Sequence, residues 1–297
     1  MEDYRNKNWP TYIKLKGIRK VLPGKRLLPW GKWIGNRLLV ASWLVSIGAC
    51  TFKEGNTFEA EKKMVTQRDQ YRTGRLTSRP KSTSTKTEFT KGLQPLGLDK
   101  RKDGLVYVPE KYSPDEPAAL AVMLHGAGGI AEHGMFLLRE YADKNNIILL
   151  APPSRAGTWD IISNRYFGTD VLFLDQALNL IFECYAIDPK HLAIGGFSDG
   201  ASYALCIGLT NGDLFSHILA FSPGFAFTQE PTGKPWVFIS HGVNDPVLPI
   251  APCSRRIVPQ LQDQGLQVNY HEFNGRHEVP PNISRIAVEW YLQNSPR

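Results

Sequence analysis

The stretch from His191 to Leu209, HLAIGGFSDGASYALCIGL, decides the fold class of this chain. It opens with an apolar run typical of a buried strand, and Ala201–Leu209 is typical of a helix. Between them lies the G-x-S-x-G pattern of Gly196–Gly200, with Ser198 at its centre. A sharp strand-to-helix turn leaves no room for side chains beside the serine, which explains both glycines. The stretch therefore predicts a serine hydroxyl standing exposed at the end of a strand.

Two downstream residues complete a catalytic pattern. Asp245 lies 47 residues after Ser198 and follows the apolar run Trp236–Ser240, and His277 lies 32 residues further on. Open α/β sheets place their sites at the carboxyl ends of strands, where both residues fall. We predict Ser198 as nucleophile, His277 as general base and Asp245 as the group that orients the histidine. The alternative is a Gly-rich turn that packs tightly or binds phosphate, and it leaves the two downstream residues unexplained.

Apolar runs alternate with helix-period segments along the rest of residues 92–297, which indicates parallel β-α-β units. The expected fold class is α/β, with a mostly parallel central sheet and helices on both faces. Strands are predicted at Leu105–Val108, Ala119–Leu124, Ile147–Ala151, His191–Gly195, Ile218–Phe221, Trp236–Ser240 and Asn269–Phe273. Helices are predicted from the spacing of Met135, Leu138, Tyr141 and Ala142, over Asp170–Tyr185, over Ala201–Leu209, and after Asn282 as a cap.

The segment HGAGG, residues 125–129, follows an early predicted strand. Stabilising a developing oxyanion requires two backbone N–H groups aimed at the same point. We assign one to Asp199, the residue after the nucleophile, and the other to Ala127, with Gly128 as the alternative. His125 is expected to support the loop rather than act as a base.

These motifs resemble those of α/β-hydrolases of the phospholipase/carboxylesterase, feruloyl-esterase and polyhydroxybutyrate-depolymerase kind. The matching pieces are LHGAGG (124–129), DPKHLAIGGFS (188–198), HGVNDPVLP (241–249) and GRHEVP (275–280). The resemblance implies the α/β-hydrolase fold, the Ser198, Asp245 and His277 triad, and no metal or organic cofactor. The chain departs from some branches at Asp199, where they carry glutamine or methionine.

The favoured function is hydrolysis of a small-molecule carboxylic ester through an acyl-enzyme intermediate. A serine peptidase of the same fold is one alternative, and a non-catalytic membrane-tethered binding protein is another. The resemblance suggests that Trp159 lies near the substrate cleft, while packing in the core is an equally good interpretation.

Basic residues concentrate before the predicted catalytic domain. Residues 1–49 hold ten Lys and Arg against two Asp and Glu, and residues 50–91 hold ten against five. Residues 92–297 hold fifteen against twenty-one, a net charge of −6. An acidic domain argues against nucleic acid as a partner, and the basic segment before it suits an anionic membrane surface.

The apolar run Leu38–Ala49 is short for a bilayer span, which needs about 20 residues, and matches the hydrophobic region of a signal peptide. Because it ends at Cys50, it resembles a lipoprotein signal. We predict lipidation of Cys50 and a membrane-anchored lipoprotein of the cell envelope, facing outside the cytoplasm. An uncleaved anchor is one alternative, and an ordinary buried helix with an incidental Cys50 in a cytoplasmic protein is another.

Three segments follow from this reasoning. Residues 1–49 are a basic and apolar signal or anchor segment, residues 50–91 a flexible tether, and residues 92–297 the catalytic domain. The tether is rich in Ser, Thr and Lys, and such sequence buries too little apolar area to offset its loss of entropy. The alternative is that it folds as an extra layer on the domain. Cys184 and Cys206 lie in apolar stretches and are expected in the core.

Overall fold

The computed structural model describes residues 71–81 and 90–294, so the predicted signal or anchor segment and Cys50 lie outside the described residues. Eight strands form one sheet in the order β1-β2-β4-β3-β5-β6-β7-β8. The first two pair antiparallel with their neighbours, and the rest are parallel. The strands are β1 (Gly92–Pro95), β2 (Leu105–Val108), β3 (Ala118–Leu124), β4 (Ile147–Ala151), β5 (Ile187–Phe197), β6 (His217–Phe221), β7 (Trp236–Gly242) and β8 (Val268–Phe273).

Helices cover both faces of this sheet, which confirms the predicted architecture. They are α1 (Ala131–Phe136), α2 (Asp160–Ser163), α3 (Thr169–Cys184), α4 (Asp199–Thr210), α5 (Ser254–Asp263) and α6 (Pro281–Gln293). Buried side chains of α3, α4 and α5 form one hydrophobic core, and those of α1 and α6 form a second.

Strand β3 shows why the sheet has two cores. All of its residues are buried. Leu120 and Val122 belong to the first core, whereas Ala121 and Met123 belong to the second, because successive side chains of a strand point to opposite faces. A strand buried on both faces reads as a continuous apolar run, which is why its position could be predicted.

Two local predictions differ from the structure. The residues at helical spacing from Met135 onward form α1 and a separate 3-10 turn at Arg139–Tyr141 rather than one helix. The last helix begins at Pro281, and Pro280 takes the cap position assigned to Asn282, because proline's fixed φ suits the first turn of a helix. Helix α5 and the edge strand β1 were not predicted.

Residues 71–81 pack on the domain, so the prediction of a flexible tether over residues 50–91 is wrong for this part of it. Leu76 is 1% exposed, and its N–H donates to Asn211 Oδ1 at 2.8 Å. Arg75 forms two hydrogen bonds to the Asp213 carboxylate, at 2.8 and 2.9 Å. The Asp175 carboxylate accepts hydrogen bonds from the backbone of this segment as well. Two buried apolar side chains, Tyr71 and Leu76, and several charge-assisted hydrogen bonds thus offset the entropy lost on ordering a polar segment.

Candidate active site

Ser198 occupies the tight turn between β5 and α4. Its backbone has φ 58 and ψ −121, a left-handed conformation that costs a non-glycine residue free energy. A Cβ atom at Gly196 would lie 2.6 Å from the carbonyl oxygen of Leu124, and one at Gly200 would overlap the same oxygen. The two glycines therefore allow the turn to pack against the end of β3, which holds the serine in its strained conformation.

The structure brings Ser198, His277 and Asp245 together. The Oγ atom of Ser198 lies 2.9 Å from Nε2 of His277, and Nδ1 of His277 lies 2.6 Å from Oδ2 of Asp245. An ionised carboxylate only accepts hydrogen bonds, so it assigns the ring proton to Nδ1 and leaves Nε2 to accept from the serine. The side chain of Asp245 is fully buried, while that of His277 is 14% exposed. This geometry can transfer the serine proton to the imidazole.

The sheet explains how residues so distant in sequence meet. Ser198 follows β5, Asp245 follows β7 and His277 follows β8, and these strands run parallel with β6 between the first two. Their carboxyl ends consequently form one edge of the sheet, and loops from that edge converge above it. The Phe197 ring packs on the His277 imidazole at a centroid distance of 4.6 Å.

A turn built on Asp245 fixes the orientation of its carboxylate. Its Oδ1 atom accepts hydrogen bonds from the backbone N–H groups of Val247 and Leu248, both at 2.8 Å. Its Oδ2 atom faces His277 and also lies 3.2 Å from Nε2 of His241. The sequence analysis did not single out His241, although it stands at the carboxyl end of an apolar strand, four residues before the acid.

The loop after β3 lies against Ser198. A Cβ atom at Gly126 would lie 3.4 Å from the Cβ of Ser198. The N–H of Gly128 donates to the carbonyl of Gly157 at 2.7 Å, so the alternative assignment of Gly128 to the oxyanion hole is wrong in this conformation. Ala127 is exposed, and no described residue accepts a hydrogen bond from its N–H.

The second predicted donor, Asp199, is the first residue of α4. It follows the N-cap residue Ser198 directly and lies at the positive end of the helix dipole. Its carboxylate accepts a hydrogen bond from Thr158 Oγ1 at 2.6 Å. Thr158 belongs to the loop after β4 and was not predicted to contribute to the site.

His125 supports the loop, as predicted. Its Nδ1 lies 2.7 Å from the carbonyl of Gly126, and its Nε2 accepts from the N–H of Ser154 at 2.9 Å. One nitrogen faces an acceptor and the other a donor, so the ring is neutral with its proton on Nδ1. Burial lowers the pKa of His125, in agreement with this assignment.

Trp159 lies in the core and is 1% exposed, so the packing interpretation holds and direct contact with a substrate does not. Its ring stacks on Tyr203 at 4.9 Å, and its indole N–H donates to the carbonyl of His125 at 2.9 Å. The loop that contains Gly157, Thr158 and Trp159 therefore braces the two segments that carry the predicted oxyanion donors.

Two buried carboxyl groups anchor this bracing loop to α3. Oδ2 of Asp170 accepts from the N–H of Asp160 at 2.7 Å, and Oδ2 of Asp160 accepts from the N–H of Asp170 at 3.1 Å. Burial, and then the charge of Asp160, raise the pKa of Asp170 to about 6. Within residues 71–81 and 90–294, no cluster of three or more His, Cys, Asp or Glu is placed to hold a metal ion.

Comparison with known proteins agrees with the observed fold. A model of the phospholipase/carboxylesterase family matches residues 173–290, which contain all three triad positions. The crystal structure of a thermostable esterase superposes with a TM-score of 0.55 at 23% identity, covering 65% of this chain and 59% of that one. The chain has the α/β-hydrolase fold. Its predicted resemblance to phospholipase/carboxylesterase-type hydrolases is confirmed.

Two curated relatives carry esterase names. An acetylxylan esterase of Coprinopsis cinerea is 28% identical over 186 residues, 57% of this chain and 45% of the relative. Feruloyl esterase C of Emericella nidulans is 23% identical over 157 residues, 50% of this chain and 57% of the relative. The chain thus spans about half the length of these curated relatives.

Proposed function

We propose that this protein is a serine hydrolase that cleaves carboxylic esters. The observation that carries the proposal is the continuous hydrogen-bonded path from Ser198 Oγ through His277 to Asp245, with steps of 2.9 and 2.6 Å. A serine hydroxyl is a weak nucleophile until a base removes its proton, and this path supplies an oriented base. The esterase names of the relatives support the choice of substrate class.

The reaction proceeds in two halves. Ser198 Oγ attacks the ester carbonyl while its proton moves to Nε2 of His277, and Asp245 stabilises the imidazolium that forms. The imidazolium then gives that proton to the departing alcohol oxygen as the bond between carbonyl carbon and alcohol breaks, which leaves an acyl group on the serine. Water, deprotonated by the same imidazole, attacks the acyl group and releases the acid.

The backbone N–H groups of Ala127 and Asp199 stabilise the negative oxygen of each tetrahedral intermediate. Ala127 is exposed beside the nucleophile, and Asp199 begins α4, whose N-terminal dipole favours negative charge. The N–H of Ser198 donates to the carbonyl of Phe221 at 2.9 Å and does not take part. Removing one such donor in other hydrolases costs about a hundredfold or more in kcat.

A fluorophosphonate probe tests the nucleophile directly. We expect covalent labelling of the wild type, its loss in Ser198→Ala, and unchanged labelling in Ser163→Ala, which removes an exposed hydroxyl from α2. A well-folded wild type that takes no label would favour the non-catalytic binding protein. Labelling that persists in Ser198→Ala would place the nucleophile elsewhere.

A panel of p-nitrophenyl esters of increasing acyl length, run beside peptide p-nitroanilides, separates esterase from peptidase. We expect turnover of the esters and none of the anilides, because no charged pocket for peptide ends is evident from the sequence. Preferential cleavage of the anilides would overturn the ester assignment while leaving the triad in place.

We further propose that the protein is attached to a membrane through its N-terminal segment, with lipid on Cys50, and faces outside the cytoplasm. The basic charge of residues 1–49 and the apolar run ending at Cys50 support this. Among the described residues, no helix has the length and apolar character needed to cross a bilayer. Labelling of cells with radioactive palmitate should mark the wild type and not Cys50→Ser, and equal incorporation would refute lipidation at this residue.

A further inference from the structure

His241 is a buried imidazole whose contacts are all part of the structure around Asp245. It lies in β7 and is fully buried. Its Nε2 atom lies 2.8 Å from the carbonyl oxygen of Leu248 and 3.2 Å from Oδ2 of Asp245. Its Nδ1 atom lies 2.6 Å from Oγ of Ser254, the first residue of α5. The proposed reaction does not use this ring.

These contacts fix the proton of His241. Both neighbours of Nε2 are oxygens that only accept hydrogen bonds, so Nε2 carries the proton, and Nδ1 accepts from the hydroxyl of Ser254. Burial lowers the pKa of His241, and this effect outweighs the hydrogen bond to Leu248 and the charge of Asp245, which raise it. The ring is therefore neutral, with its single N–H shared between Leu248 and Asp245.

We propose that His241 is a positioning residue that clamps the Asp245 turn in the geometry that catalysis requires. The N–H of Leu248 donates to Oδ1 of Asp245, and its carbonyl accepts from His241 at 2.8 Å. Holding Leu248 from one side thus keeps its N–H aimed at the carboxylate on the other. Ser254 holds the far side of the ring, so α5 is tied to the same turn.

A neutral ring suits this position better than a charged one. Asp245 must orient His277 and stabilise its positive charge during the reaction. A second imidazolium 3.2 Å from the same oxygen would compete for that carboxylate. The other charged group that faces His241 is Glu272, its register partner on β8, whose carboxylate is bonded to Arg255 at 2.7 and 2.8 Å.

This inference rests on the proposed function, and its first test is kinetic. His241→Phe keeps a ring but removes both hydrogen bonds, whereas the amide nitrogen of His241→Gln is as many bonds from the backbone as Nε2. We expect His241→Phe to lower kcat for a p-nitrophenyl ester by about tenfold to a hundredfold with little change in KM, the size expected for a hydrogen bond to a charged group. His241→Gln should recover most of the loss.

His217→Gln is the matched control. His217 is also fully buried, but it begins β6 and therefore lies at the amino-terminal end of the parallel strands, away from the carboxyl ends that carry Ser198 and Asp245. The His217→Gln substitution should have a small effect on kcat, even if it lowers thermal stability as much as the His241 variants do. Equal losses of kcat in His241→Phe and His217→Gln, or no recovery by glutamine, would reduce His241 to an ordinary core residue.

A second measurement needs no turnover. The Nδ1 proton of His277, bonded to Asp245 at 2.6 Å, should give a strongly downfield proton resonance. We expect His241→Phe to shift or broaden it and His217→Gln to leave it unchanged; an unchanged resonance in His241→Phe overturns the clamp. If the wild type hydrolyses no ester and takes no probe, the proposed function fails, and this resonance still decides whether His241 positions Asp245.

Discussion

The imidazoles of this protein differ in burial and in the groups that face their two nitrogens. Burial lowers the pKa values of His125, His217 and His241, each of which lies inside the protein. His277 keeps part of its ring surface at the opening above Ser198. The same side chain thus braces a loop at His125 and packs in the core at His217, and we propose that it acts as a clamp at His241 and as a base at His277.

His217 makes a prediction about acid stability. Burial, and then the charge of His191, lower the pKa of His217 from 6.5 to about 4. A group with a lowered folded-state pKa contributes stability above its unfolded pKa and loses it as pH falls. Between pH 7 and pH 4, His217 should cost the wild type about 3 kcal/mol of unfolding free energy. His217→Gln lacks this titrating ring and should not show the loss. The difference in unfolding free energy between the wild type and the variant, measured by urea titration, should therefore change by that amount between pH 7 and pH 4. A free-energy difference that stays constant with pH would show that the ring is not buried in its neutral form.

At the scale of single residues, the sequence was informative about type and order but not about contacts. Ser198, Asp245 and His277 could be predicted because each follows an apolar run and they occur in the order Ser, Asp, His that triads of the α/β-hydrolase fold use. His241 and Thr158 could not, since their roles depend on neighbours that only the folded sheet brings close. Trp159 was ambiguous because a large aromatic residue before a helix is equally consistent with a cleft and a core.

At the scale of elements, the site consists of loops that press on one another. The turn at Ser198 packs on the end of β3, and the loop after β4 bonds to both the Gly128 backbone and the Asp199 side chain. These loops contact one another directly and supply hydrogen-bond partners to one another. Substitutions in one of these loops should therefore shift the position of Ser198.

Gly200→Ala tests this close packing. Its added methyl group would overlap the carbonyl oxygens of Leu124 and His125, which are backbone atoms that cannot move aside cheaply. We expect a loss of about 1–3 kcal/mol in stability and a large drop in esterase activity. Gly157→Ala, where nothing lies within 4 Å of an added Cβ, should leave both nearly unchanged. Thermal unfolding and ester hydrolysis measure the two effects, and an active, stable Gly200→Ala would contradict the tight turn.

Sequence patterns predicted the buried strands better than the helices and their ends. Buried strands were predicted well because their apolar runs are continuous. Helix α5 was not predicted: it buries only one stripe, at Ile257, Val258 and Leu261, and it contains Pro259, which removes a backbone donor. The cap predicted at Asn282 was wrong because the prolines before it can begin a helix without a side-chain cap.

At the scale of the whole molecule, the segment 71–81 is the part that the sequence described worst. Its composition predicts a mobile linker, yet its polar residues find buried partners on α3 and just beyond α4. The composition of a segment indicates how much apolar area it can bury. It does not indicate how many charge-assisted hydrogen bonds the segment can form with the domain on which it packs. The folded unit therefore includes chain well before β1, and the charged groups that hold it are more than 90 residues away in sequence.

Asp175 is the main attachment point, so it gives the sharpest test at this scale. Its carboxylate, buried on α3, accepts the N–H groups of Thr77 at 2.9 Å and Ser78 at 2.8 Å, and the Thr77 hydroxyl at 2.5 Å. Asp175→Asn removes the charge and turns an NH2 group toward these donors. We expect about 2–3 kcal/mol lower unfolding stability, because hydrogen bonds to a buried charge are lost together. We also expect faster tryptic cleavage after Arg75, which Leu76 follows.

The control is Asp263→Asn, an exposed site at the end of α5, which should change neither quantity. Cleavage of the segment depends on how often it leaves the domain, whereas ester hydrolysis depends on the opposite edge of the sheet. Asp175→Asn should thus release the segment 71–81, while its kcat should fall much less than that of His241→Phe. Tryptic cleavage of Asp175→Asn at the wild-type rate would mean that Leu76 and the pairing of Arg75 and Arg79 with Asp213 hold the segment without Asp175.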